Sequence, residues 1–149
     1  MKNEFFVASI EDLDRIYQFA HDHFAIIATD QNEFMFESWT APWRKESLEH
    51  YLRGGWSFVS TRGDQQVSGY FLAQPLLFLS RQTQSLWIEQ LVGENQEVTD
   101  YLIEIAIKTA REKHLQRVLF ADFNKHKSYL EKFQVSQQKN DIGEWNYKK

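Results

Sequence analysis

Two spacings of apolar residues recur along the chain, and each predicts its own elements. Ile10, Leu13, Ile16, Tyr17, Ala20 and Phe24 follow one another at three- and four-residue steps, the spacing of a helix with one buried face. Ser9 and Asp12 stand in S-x-x-D spacing at its start, a capping-box-like opening. Val98, Leu102, Ile105, Ala106 and Ala110 mark the buried stripe of a second, longer helix. Phe5–Ala8, WSFVS, VSGYFLAQ and LWIEQLV are strand-like runs, and WSFVS and VSGYFLAQ flank the turn-type triplet Arg62-Gly63-Asp64 as a hairpin. RVLFADF is apolar almost throughout, the signature of a strand buried on both faces.

Shorter signals fill the gaps. Lys45 to Leu52 predicts a short helix stopped by Gly54 and Gly55, and Ser80 to Gln84 a loop. HKSYLEKF predicts another short helix, and the tail two strands joined by a turn at Asn140 to Gly143. The stretch IIATDQNEFMFESWTAPWRK, with Pro42 and the aromatics Phe34, Phe36, Trp39 and Trp43, has no clean period and predicts irregular chain. Phe34 and Phe36 alternate there as in a strand or extended loop. The order β-α-α-β-β-β-α-β-α-β-β predicts one α/β domain over residues 1–149, with a mixed sheet covered by helices.

Composition narrows the function. With 149 residues and 42% hydrophobic content, the chain suits one core. A net charge of −4, without a Lys/Arg run longer than two, argues against nucleic acid as a partner. The absence of cysteine excludes disulfides, thiolate metal sites and a cysteine nucleophile. The first residues lack a signal-peptide pattern, and no segment approaches the ~18–20 apolar residues of a membrane helix. A cytoplasmic location without membrane contact is expected. The five histidines show no H-x-x-x-H spacing, so no metal is expected. The 15% aromatic content fits a dense core or an aromatic-lined pocket.

Two places carry candidate chemistry. In LWIEQLV, alternation puts Trp87, Glu89 and Leu91 on one face and Leu86, Ile88, Gln90 and Val92 on the other. A carboxylate between two large apolar residues suits a general base, and equally a polar residue at a sheet edge. In VGENQEVTD the strand meets the long helix at a single glycine, Gly93, followed by Glu94, Glu97 and Asp100. Acids complement the macrodipole there, and Asn95 or Thr99 can cap the helix. A carboxylate at about 6 Å would repel a phosphate by ~2–3 kcal/mol at an effective dielectric of ~20.

RVLFADFNKHKSYLEKFQV, the closing EWNYKK and the element order together resemble the GNAT superfamily of acyl-CoA-dependent N-acyltransferases over nearly the whole length. The family's terminal Y-E-K-x-G-F pattern stands here as Leu130-Glu131-Lys132-Phe133-Gln134-Val135, and its loop asparagine falls on Asn124. The resemblance implies a mostly antiparallel sheet of six to seven strands flanked by four helices. It implies transfer of an acetyl or acyl group from acetyl-CoA or another acyl-CoA to a small-molecule or other amine. Glu89 is then the base and Tyr129, beside Leu130, the general acid. Leu91, Val92, Glu97, Val98, Thr99 and Asn124 fall at coenzyme-binding positions.

The chain departs from the family's R/Q-x-x-G-x-G/A phosphate loop, which is replaced by Glu94–Thr99 without glycine or arginine and is a few residues shorter. That departure supports an alternative: a GNAT-fold binding module, or an oligomerising protein, without coenzyme A binding. Phe34, Phe36, Trp39 and Trp43 lie where the family builds its acceptor pocket. They suit that role, packing on the sheet, or a homodimer contact.

Overall fold

The computed structural model describes residues 3–76 and 84–147. Seven strands form one sheet: β1 (Glu4–Val7), β2 (Phe58–Thr61), β3 (Val67–Leu76), β4 (Ser85–Gly93), β5 (Arg117–Phe120), β6 (Ser136–Gln138) and β7 (Ile142–Asn146). Their spatial order is β1-β2-β3-β4-β5-β7-β6. Only β4 and β5 run parallel; the other neighbours are antiparallel. The described residues hold five α-helices: α1 (Leu13–Ile27), α2 (Gln31–Ser38), α3 (Lys45–Gly54), α4 (Gln96–Glu112) and α5 (Lys127–Glu131). The expected loop at Ser80 to Gln84 lies, apart from Gln84, outside the described residues.

Most elements form for the reasons the sequence supplies. Asp12 accepts the Ser9 backbone N–H at 2.8 Å and starts the first helical segment. Gly55 closes α3 at φ 79°, a left-handed conformation that suits a residue without Cβ. Asn95 caps α4, whose buried stripe is Val98, Leu102, Ile103, Ala106, Ile107 and Ala110. Ile105, expected in that stripe, is only half-buried.

Three expectations need correction. The stretch around Phe34 is helical: Asp30 caps α2 by accepting the N–H groups of Asn32 and Glu33. Only Phe34 of that helix is buried, while Met35 and Phe36 are exposed, so no apolar stripe marks it. The helix count therefore rises from four to five. The C-terminal turn is Lys139–Asp141, and Gly143 lies inside β7. A Cβ on Gly143 would meet the Phe123 ring at 2.6 Å and Val135 at 2.8 Å, so close packing accounts for this glycine.

Two cores lie on opposite faces of the sheet. Phe71 and Ala73 of β3 belong to the core under α4, while Tyr70 and Leu72 belong to the core under α1 and α3.

Candidate functional site

The site is built around an irregularity in β4. Between β3 and β4, Phe71 pairs with Leu91 and Leu72 with Gln90, but Ala73 pairs with Ile88. Glu89 is therefore an extra residue in β4, a β-bulge. The alternation read from the sequence fails there: Ile88 and Leu91 both enter the α4-side core, while Val92 enters the core under α1 and α3. Leu91 thus does not share a face with Trp87 and Glu89 as expected. The bulge aims consecutive side chains, Glu89 and Gln90, at partners anchored in α3 and in the α1/α3-side core.

The same position is a fork. β4 and β5 pair in parallel from Ser85–Arg117 to Ile88–Phe120, and the Ala121 N–H donates to the Ile88 carbonyl at 3.0 Å. β5 ends at Phe120 while β4 continues to Gly93, so beyond Ile88 no described strand pairs with that side of β4.

Glu89 receives two hydrogen bonds on one oxygen. The Tyr51 hydroxyl donates to Oε1 at 3.0 Å, and the Trp87 indole N–H donates to the same atom at 2.8 Å. Oε2 accepts no hydrogen bond in the described residues. Burial, and then the negative charge of Glu89, hold the Tyr51 phenol well above its ordinary pKa, so it remains a donor at neutral pH. Glu89 opens on a cavity of about 360 Å³ that also contains Arg44, His50 and Tyr51.

Gln90 takes the second direction. Its Oε1 accepts the hydroxyl of the fully buried Tyr70 at 2.6 Å. Burial also raises the Tyr70 pKa, which keeps this phenol a donor. Gln90 lines a larger cavity of about 520 Å³, bounded by the end of α1, α2, the α2–α3 connection and the loop after β5. The two cavities share Thr40 and Pro42. The aromatic stretch divides between these surroundings and solvent: Phe34 and Trp43 are buried, whereas Phe36 and Trp39 are exposed.

The strand–helix junction is occupied by its own chain. The Glu94 N–H donates to the Ser68 carbonyl at 2.8 Å, and the Val98 N–H donates to Asn95 Oδ1 at 3.0 Å. Val98 and Thr99 are buried in the first turn of α4. A Cβ on Gly93 would lie 2.3 Å from Thr99 Oγ1, so the strand end sits directly on the helix start. The acids are largely neutralised: Glu94 pairs with Arg62 at 3.2 Å and Asp100 with Lys132 at 2.8 Å. Glu97, which forms no ion pair among the described residues, remains exposed. The repulsion expected from three acids is thus carried mainly by one.

The remaining candidates lie on or near α5. Leu130 is fully buried in the α4-side core, and half-buried Tyr129 packs against that core with the Lys132 ammonium 5.7 Å from its ring centroid. The phenol on Glu89 belongs instead to Tyr51. Asn124 is exposed, and its backbone N–H donates to Asp141 Oδ1 at 2.7 Å. Sequence reasoning missed Tyr51, Trp87, Tyr70 and Gln90 as a hydrogen-bonded set. Tyr51 carried a signal, because it lies one turn from Leu48 on a helix with buried Leu48 and Leu52.

No family model and no curated protein matches this chain in sequence. Solved structures match it in shape. The PaiA N-acetyltransferase from Thermoplasma acidophilum, solved with coenzyme A, superposes with a TM-score of 0.70 at 15% identity, covering 99% of this chain and 100% of that one. A GNAT family acetyltransferase from Brucella melitensis, solved with acetyl-CoA, gives 0.67 at 13% identity over 99% and 90% of the two chains. A GNAT family acetyltransferase from Staphylococcus aureus gives 0.67 at 10% identity over 99% and 100%. These matches establish that the chain has the fold of the GNAT acetyltransferases.

Proposed function

We propose that this chain is an N-acyltransferase that moves an acyl group from an acyl-CoA thioester to an amine. One observation carries the reading: the bulge in β4 sets a hydrogen-bonded carboxylate, Glu89, beside the fork where β4 loses its parallel neighbour. Chain-like ligands can hydrogen-bond to an open strand edge, and the pantetheine arm has amides suited to that edge around Leu91 and Val92. The amine nitrogen attacks the thioester carbonyl, the C–S bond breaks, and the thiolate leaves. The amine proton passes to Glu89, whose Oε2 is free to accept it directly or through one water. Tyr129 is the candidate proton donor to the thiolate. The start of α4 at Glu97, Val98 and Thr99, with the Asn124 loop, flanks the rest of the coenzyme.

A second reading has its own support. The Glu94 and Val98 N–H groups, which could meet a pyrophosphate, already have partners within the chain. That favours a binding module without coenzyme A affinity. Thermal shift and calorimetry with acetyl-CoA and free coenzyme A separate the two. Saturable stabilisation in the micromolar range, with free coenzyme A thiol released when an amine is added to acetyl-CoA, supports the enzyme. No response at millimolar ligand removes the acyl-CoA reading and leaves the module.

A further inference from the structure

The cavity onto which Glu89 opens holds a positive charge that the proposed base does not use. It encloses about 360 Å³, at the small end of small-molecule sites. Arg44 supplies the only fixed positive charge among the described residues that line it. The guanidinium is held in place through one nitrogen: Nη1 donates to the Ala41 carbonyl at 2.9 Å and to the Thr40 carbonyl at 3.2 Å. Nε and Nη2 have no hydrogen-bond partner among the described residues.

The position of Arg44 in the chain does not account for its charge. Arg44 is the N-cap of α3, and its side chain makes no capping hydrogen bond. That position favours a short acceptor side chain, and a cation there adds to the positive end of the helix dipole. Glu46 and Glu89 belong to the same lining, yet Arg44 forms no ion pair among the described residues. Burial first, and then Glu89, raise the pKa of the Tyr51 phenol, while the Arg44 charge opposes them. Carboxylate and guanidinium thus act on one hydroxyl without meeting. A residue that breaks a local rule in this way marks a place where function is met.

We infer that this cavity binds a small amine that carries a carboxylate, an amino acid, and that Arg44 sets this preference. The nitrogen end suits Glu89, and the free edge of the planar guanidinium fork suits the carboxylate. A plain amine would leave the guanidinium unpaired, and an acid without an amine would face Glu46 and Glu89 uncompensated. On the proposed transferase reading, on which this step rests, the bound amino acid is the acyl acceptor. Its ammonium gives one proton to solvent, and the neutral nitrogen attacks the thioester carbonyl. The second proton passes to Glu89, the C–S bond breaks, and an N-acyl amino acid and the thiolate result.

The test uses the full-length protein, with and without free coenzyme A. The α-amino acids and short ω-amino acids are each compared with the matching carboxamide, which keeps the amine and removes the negative charge. At least one amino acid should bind saturably by calorimetry, with its carboxamide about tenfold weaker or more (~1.4 kcal/mol). No binding of any amino acid at high millimolar concentration, or equal affinity for acid and carboxamide, overturns the inference. Arg44→Gln should weaken binding of the acid alone and leave the carboxamide unchanged. Arg44→Lys, which keeps the charge and loses the fork, should retain part of the preference. Equal weakening of acid and carboxamide by Arg44→Gln would mean that the side chain only braces the α2–α3 connection, and overturns the inference. With acetyl-CoA added, the bound amino acid should release coenzyme A thiol. An amino acid bound with this preference but never acylated upholds the recognition and counts against the transferase. Thiol released as fast with a carboxylate-free amine as with any amino acid upholds the transferase and overturns this inference.

Discussion

Tyr51 of α3 donates its hydroxyl to Glu89 at the bulge of β4, 3.0 Å away, and ties a covering helix to that irregular point of the sheet. The contact joins packing to chemistry, because the Tyr51 ring is buried while its hydroxyl orients the proposed base. Tyr51→Phe keeps the ring and deletes the donor. A hydrogen bond to a charged acceptor contributes ~1.5–3 kcal/mol, and the surviving Trp87 bond places the expected loss near the lower end. Urea denaturation measures it. Unchanged stability would show that solvent replaces the phenol without cost.

Glu89→Gln separates structure from catalysis at the same place. The amide retains an oxygen for Tyr51 and Trp87 but cannot take a proton at neutral pH. If Glu89 is the base, kcat should fall by ~10²-fold or more while the midpoint of unfolding moves little. A variant with wild-type turnover assigns Glu89 to the architecture of the bulge alone.

What could be read from the sequence, and what could not, divides along physical lines. The order of strands, α1 and α4 was legible because each buries one periodic face. α2 was not, since Phe34 is its only buried side chain and tertiary context rather than periodicity keeps it helical. Its start was marked, however, by Asp30 followed by Glu33, a capping signal masked by the neighbouring aromatics. Glu89 was legible as a candidate, but not the bulge. An inserted residue leaves the letters alternating while the faces cease to alternate, and only pairing with β3 reveals it. The partners of Glu94 and Asp100 were likewise invisible, because Arg62 and Lys132 lie about thirty residues away in the chain.

Gly93 should be intolerant of even a methyl group. An alanine Cβ would stand 2.3 Å from Thr99 Oγ1 and 2.9 Å from the Thr99 N. The nitrogen belongs to the first turn of α4 and cannot move without shifting the helix. Overpacking of this kind costs ~1–3 kcal/mol. Gly93→Ala should lower Tm, and Thr99→Ala should partly rescue it by removing the nearest atom. Failure of the rescue would place the strain on the α4 backbone.

Acid should weaken the fold through His126. Burial first, and then the positive charge of Lys125, push its pKa down from 6.5 to about 4. Between those pH values the unfolded chain binds more protons than the folded one, so stability rises with pH. The contribution is complete above about pH 6.5 and is lost as the pH falls towards about 4. Partial exposure reduces the expected size to roughly 1–2 kcal/mol. His23 shifts in the same direction, by burial and then by Lys125. His126→Gln should flatten the stability profile between about pH 7 and about pH 4.5. An unchanged slope would assign the acid sensitivity to other groups.

The strand–helix junction yields the most direct test of donor binding. Glu97 is its exposed acid, without an ion pair among the described residues, whereas Glu94 is held by Arg62. Glu94→Arg with Glu97→Gly removes two negative charges, adds one positive charge and leaves Arg62 without this partner. Screened surface charges contribute only up to ~1 kcal/mol each, so coenzyme A affinity should rise by about tenfold at low salt and by much less at high salt. The glycine should cost up to ~1 kcal/mol of helix stability, read separately by thermal melting. A gain that persists at high salt would point to backbone geometry in place of charge. No gain at any salt would mean that the occupied Glu94 and Val98 N–H groups, rather than the acids, close this junction to a pyrophosphate.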